Sequence, residues 1–295
     1  TQCTLPDTFH IIGDMNSYAS PASAMGIKTS DRAAFLAMER NYYRLAHAHR
    51  MTLNVLPYSQ SGGINWQGAP EIKADGDTDW SGWDARYGPL LDGSAFANQT
   101  GYVGPGIGVP IHHLYLPYHE NWPERLADHF QPWPPPKDYD AFLKWAAELT
   151  PIDQSLKLTM PYRIFTEHLT ERGWLDTWYQ VYLNNKYYFR DHGGRGISLW
   201  LLDEPMFADD FLALRWFGRT VRDFKQSAYA DAAQDRLQFR IDISRPTHQR
   251  NWLDGLVDLN VCADQLYSQR RLITRRKRLF DEIYWNYRMP PSFTG

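Results

Sequence analysis

Two periods of apolar residues run through the chain. Short apolar runs bounded by turn residues predict strands, and stretches whose apolar residues return every three or four positions predict helices. The strand pattern falls at 9–14, 51–56, 111–116, 177–183, 196–202, 237–243, 256–262 and 283–287. The helical pattern falls at 31–49, 138–149, 155–172, 210–225 and 264–280. In the first helix Phe35, Met38, Tyr42 and Leu45 share one face, with Ser30 as the expected N-cap. Residues 58–108 are rich in Gly, Asp and Trp and show neither period, so they read as a long irregular insertion after the second strand.

Strands alternating with helices predict an α/β fold with a mostly parallel sheet. Eight strands point to a single (β/α)8 TIM-type barrel over 1–295. The chain ends soon after the eighth strand, so the closing helix is expected to be missing or replaced. There is no internal repeat and no linker that would divide the chain.

Composition narrows the picture in three places. The net charge of −3 gives no general attraction to nucleic acid or to anionic membranes. Aromatic residues are 15% of the chain, with 12 Trp and 18 Tyr, which favours a site where flat rings stack on sugar faces. Two cysteines, Cys3 and Cys262, are too few for a disulfide scaffold or a cysteine-based zinc site, and their pairing is left open. No apolar run reaches the roughly 18 residues of a membrane span. The start at Thr1 is what removal of a leader or an upstream domain would leave. Oligomeric state is not encoded in any pattern here.

The most informative stretch is Gly196-Ile197-Ser198-Leu199-Trp200-Leu201-Leu202-Asp203-Glu204-Pro205. Its apolar run reads as a strand buried on both faces, ending in two adjacent carboxylates and a proline. A barrel delivers its catalytic residues from such strand ends. The other predicted strand ends also carry hydrogen-bonding or ring side chains. These include Asp14, Asn16, His119, Asn121, Trp122, Asn184, Asn185, Lys186, Asp242, Arg245, Tyr284 and Trp285. Acids for a glycosidic bond, amides for hydroxyls and rings for stacking suit a carbohydrate or glycoconjugate substrate. Glycosidic cleavage needs one acid to protonate the leaving oxygen and a second group to stabilise or attack the anomeric carbon. Glu204 has the longer reach and is expected to be the acid, with Asp203 as its partner.

Leu201-Leu202-Asp203-Glu204-Pro205, with His119-Glu120-Asn121-Trp122-Pro123 and Tyr182-Leu183-Asn184-Asn185-Lys186 upstream, resembles glycoside hydrolase family 123 and related glycoside-hydrolase-like catalytic domains. The resemblance implies a β-N-acetylgalactosaminidase-type, substrate-assisted and retaining mechanism on a (β/α)8 barrel. In it the substrate's own acetamido oxygen attacks the anomeric carbon and forms an oxazoline. The residue matching Asp203 orients the acetamido nitrogen, and the residue matching Glu204 is the general acid/base. No metal or organic cofactor is implied.

Blander readings stand beside these. Asp203 could cap the following helix while Glu204 is merely solvated. His112 and His113 lie inside a strand, so one of them is expected to face the core; with His119 and Glu120 they lack the spacing of a metal motif. Asp242 and Arg245 could pair to fix a loop rather than touch sugar. The basic run 270–278 reads as the solvated face of a helix rather than a nucleic-acid contact. Two other functions remain: a retaining glycosidase using Asp242 or Asp264 as a separate nucleophile, and a catalytically silent carbohydrate-binding barrel.

Overall fold

The computed structural model describes residues 5–7, 13–57, 68–73, 77–118, 122, 138, 140–141, 144, 155–184, 200–227, 232–243, 252–262 and 285–286. The chain divides into two compact units. The first is Thr1–Ser59, Gly63–Pro117 and His168–Gln180; the second is Gln60–Gly62, Tyr118–Glu167 and Val181–Gly295.

In the first unit, β1 (Gly13–Ser17) pairs in parallel with β2 (Met51–Val55), joined by α1 (Pro21–Ala24) and α2 (Arg32–Ala48). Residues 9–12 of the strand expected at 9–14 lie outside the described residues, and Asp14 and Asn16 lie within β1 rather than at its end. Asp31, not Ser30, caps α2: its Oδ1 accepts from Ala34 N at 3.2 Å. Phe35, Tyr43 and Ala46 of α2 are buried, as are Leu53 and Val55 of β2.

The supposed irregular insertion holds real structure. A small antiparallel pair, β3 (Glu71–Ile72) and β4 (Thr78–Asp79), precedes α3 (Ser81–Leu91), and two 3-10 turns follow. The period of α3 is masked because Gly82, Gly88 and Pro89 interrupt its apolar face. Gly88 gives close packing, since a Cβ there would lie 3.3 Å from the Trp174 ring, tighter than most such contacts. Arg86 of α3 and Glu39 of α2 form a bidentate pair at 2.8 and 2.7 Å, both side chains almost fully enclosed. Fork-to-fork geometry of this kind is what makes a buried pair tolerable. β5 (His113–Leu116) completes the strands that lie wholly in this unit.

Two elements pass from one unit to the other along the chain. The C-terminal turn of α4 (Ser155–Arg172) and the start of β6 (Trp178–Tyr182) belong to the first unit, where β5 and β6 are neighbours. There Thr177 Oγ1 donates to Ile111 O at 2.8 Å. His168 stacks on Trp80 and bonds Asp84 Oδ1 at 2.8 Å, and Arg172 also bonds that carboxylate.

In the second unit the strand order is β6, β7 (Leu237–Asp242), β8 (Leu259–Cys262) and β9 (Trp285–Asn286), with β7–β8 and β8–β9 parallel. Helix α5 (Ala208–Lys225) buries Phe211, Leu214, Phe217, Val221 and Phe224, the stripe its spacing predicts. It comes close to the sheet at Gly218, where a Cβ would meet the Phe239 ring at 3.0 Å. Leu237, Phe239 and Ile241 of β7 and Leu259 and Val261 of β8 are also buried in this unit.

The strand expected at 196–202 differs. Residues 185–199 lie outside the described residues, and Trp200–Leu202 are not in a strand. The helices expected at 138–149 and 264–280 fall on residues almost all of which lie outside the described ones. Among the described residues no helix is long and apolar enough to cross a membrane.

Candidate active site

The loop from Leu201 to Phe207 carries the acid pair, and one buried side chain shapes it. Asp210, in the first turn of α5, accepts from Leu201 N through Oδ1 at 2.9 Å. Its Oδ2 accepts from Met206 N at 3.0 Å and Phe207 N at 2.9 Å. Both ends of the loop are therefore tied to one carboxylate. Burial raises the pKa of Asp210 above the usual value, against the lowering effect of those three backbone N–H groups.

Within this frame the two acids have opposite environments. Asp203 is 2% exposed, whereas Glu204 is exposed. Glu204 also has φ +60°, in the left-handed region that non-glycine residues seldom occupy. Pro205 follows and disfavours a right-handed helical conformation at Glu204. The amide of Glu204 donates to Asp242 O at 3.2 Å, which holds the turn against the end of β7.

A single phenol links Asp203 and Asp242. The Tyr182 hydroxyl oxygen is 2.9 Å from Asp242 Oδ2 and 3.3 Å from Asp203 Oδ2. Arg240 donates through Nε to Asp242 Oδ1 at 3.0 Å, and its guanidinium lies 4.2 Å from the centre of the Tyr182 ring. Residues 240 and 242 are two apart on β7 and so point to one face. Tyr182 and Asp242 close neighbouring strands, so the cluster forms at strand ends, where open α/β sheets and barrels alike build their sites.

Of the residues singled out in the sequence, Asp203, Glu204 and Asp242 come together here. Asn184 is fully buried just past the end of β6. Trp122 packs beside Tyr118 and Phe165, with ring centroids at 5.5 and 6.0 Å, as part of an aromatic cluster with Tyr162. Trp285 pairs with Val261 in β9. His119, Asn121, Asn185, Lys186, Arg245 and Tyr284 lie outside the described residues. Among the described residues Asp242 pairs with Arg240, and the alternative pairing with Arg245 falls on a residue outside them.

Tyr182, Arg240 and Asp210 were not anticipated as site residues. Tyr182 and Arg240 alternate with apolar residues in strands and read as strand positions, and Asp210 reads as a helix-start residue. Only for Asp210 was there a usable signal: an acid three residues after Phe207 can reach back to the helix start.

Asp14 has a different setting, in the first unit. Its enclosed carboxylate accepts from Asn54 Nδ2 at 2.9 Å and Tyr115 OH at 2.8 Å, with His113 Nε2 3.3 Å away. His113 is fully buried, which answers which of the two histidines faces the core. This is a polar network inside the unit, with donors for both carboxylate oxygens. Among the described residues, no group of three or more His, Cys, Asp or Glu side chains could hold a metal ion.

No family model matches the chain, and neither a curated protein nor a solved structure is significantly similar to it.

Proposed function

We propose that the chain is a glycoside hydrolase that cleaves β-linked N-acetylhexosaminides with retention, using Glu204 and Asp203 on a (β/α)8 barrel. The observation that carries this reading is the contrast between the two adjacent acids. One is buried beside a second carboxylate and a phenol; the next is exposed on a backbone turned into the left-handed region. Environments that separate two carboxylates are how enzymes divide acid and stabiliser roles. Parallel strand pairs interleaved with helices are consistent with the barrel.

In the first step Glu204, protonated, gives its proton to the glycosidic oxygen as that bond breaks. The substrate's acetamido oxygen forms the new bond to the anomeric carbon, giving an oxazolinium ion whose N–H the Asp203 carboxylate holds. Glu204, now a carboxylate, takes a proton from the water that opens that ring. Release of 4-nitrophenol from its N-acetyl-β-galactosaminide tests the reading. Glu204→Gln should lower kcat by about a hundredfold or more; equal rates in variant and parent would refute it.

A second reading is favoured by one contact. The Glu204 amide bonds the Asp242 carbonyl, so the two residues are backbone neighbours, and the Asp242 side chain is 18% exposed. Backbones in contact are compatible with the short carboxylate separation of retaining enzymes with a protein nucleophile. A covalent sugar adduct on Asp242 after treatment with a fluorosugar, together with no inhibition by a thiazoline, would select this reading over substrate assistance.

A further inference from the structure

The loop that presents Glu204 departs from local preference a second time, three residues later. Phe207 occupies the N-cap of α5 with φ −105° and ψ 160°, a position normally filled by Ser, Thr, Asp or Asn. A phenyl ring supplies no acceptor for the first free N–H groups of the helix, and Asp210 lies within α5 itself. The ring gains little by burial either, since Phe207 is 54% exposed and Met206 beside it 42%. By contrast, Pro205 and Phe211, on either side, are buried. Stability therefore explains neither the choice of Phe at this position nor its exposure. Departures from local preference concentrate where function demands them.

The backbone under the pair is nevertheless fixed. The amides of Met206 and Phe207 both donate to Asp210 Oδ2, so the exposed side chains stand on a tied segment. Three peptide units separate Phe207 from Glu204, so their Cα atoms are within about 11 Å of each other. That distance is on the scale of one sugar ring and its substituent.

We propose that Phe207, with Met206, forms the platform for the leaving-group half of the substrate. It would accept a sugar or aromatic ring that turns a C–H-rich or π face toward the protein. This rests on the assignment of Glu204 as the acid, because a general acid stands on the leaving-group side of the bond it breaks. The platform contributes specificity and binding rather than chemistry. Its contact is made equally in the ground state and the transition state, so its loss appears in KM.

The test compares parent, Phe207→Ala, Phe207→Ser and Phe207→Trp on two N-acetyl-β-galactosaminides, one with a 4-nitrophenyl and one with a methyl leaving group. Phe207→Ala and Phe207→Ser should raise KM for the aryl substrate about tenfold with kcat within about twofold. Both should leave the methyl substrate unchanged, and Phe207→Trp should restore aryl KM. Phe207→Ser should also raise the thermal midpoint by a few degrees through better capping. A merely structural role for the ring predicts a fall in midpoint instead. Equal effects on the two substrates, or none on either, would overturn the platform.

If the parent cleaves neither compound, the hydrolase reading fails separately, and the platform is then read by saturation-transfer NMR. Transfer from the parent to the nitrophenyl ring, retained in Leu45→Ala, a comparably exposed apolar residue on α2 of the first unit, and lost in Phe207→Ala, supports it. Transfer that is absent in the parent or unchanged in Phe207→Ala overturns it.

Discussion

The phenol of Tyr182 stands between the carboxylates of Asp203 and Asp242, 2.9 Å from the second and 3.3 Å from the first. It has one proton to donate, so it can serve only one of them at a time. The shorter contact places that proton on Asp242, whose other oxygen accepts from Arg240 Nε. Two acids distant in sequence are thus linked through one hydroxyl.

Tyr182→Phe removes that donor while keeping the ring under Arg240. Loss of a buried donor to carboxylate should cost about 1–3 kcal/mol of stability, read from urea midpoints. The same loss should lower kcat/KM for the chromogenic substrate about tenfold, because the hydroxyl holds the carboxylates of Asp203 and Asp242 in place. Unchanged kcat/KM with lowered stability would confine Tyr182 to a structural role.

Glu204 sits in the left-handed region, where a side chain costs roughly 1–2 kcal/mol. Glycine relieves that cost but adds about 0.5–1 kcal/mol of unfolded-state entropy. Relief outweighs it narrowly, so Glu204→Gly should raise the thermal midpoint by about 2 °C while the proposed hydrolysis is lost. Calorimetry and the chromogenic assay on the same preparation check both halves. A variant that is less stable would remove backbone strain from the account of this site.

His112, just ahead of β5, should make the protein acid-sensitive. Burial, and then the neighbouring His113, push its imidazole down from 6.5 to about 4. Between those values the unfolded chain binds the proton more readily than the folded one. Stability from this residue is therefore complete above about pH 6.5 and is lost as pH falls toward 4. The full shift corresponds to about 3 kcal/mol, and part exposure of the ring lowers the loss below that. Between pH 7 and 4 the urea midpoint of the parent should fall further than that of His112→Gln. Parallel curves would place the native imidazole near its ordinary value.

Legibility in the sequence tracked how local each signal was. Helix α5 and strand β7 were readable because each buries a face whose spacing lies within one element, as with Phe211, Leu214, Phe217 and Val221. Helix α3 was not, because the glycine that admits Trp174 and the proline beside it erase the period that would have announced it. The acid pair stood out as adjacent residues. Its supports did not, since Tyr182 meets Asp203 across 21 residues and Asp242 across 60. A tyrosine in a buried strand looks like core until its hydroxyl is given a neighbour. Of the strand expected just before Asp203, the described residues Trp200–Leu202 are not in a strand, and Asp210 takes the amide of Leu201, which a sheet ladder would otherwise use.

The first unit leaves the chain after Pro117 and regains it only for His168–Gln180. That short return brings Trp174, against which Gly88 is packed, and Thr177, whose hydroxyl bonds the Ile111 carbonyl. An N-terminal fragment cut anywhere before residue 168 would carry α3 with nothing to fill the groove at Gly88. Excision of either half by a single cut therefore yields an incomplete piece, and any attempt to graft or shuffle these modules has to move the detached thirteen-residue segment with its distant partners.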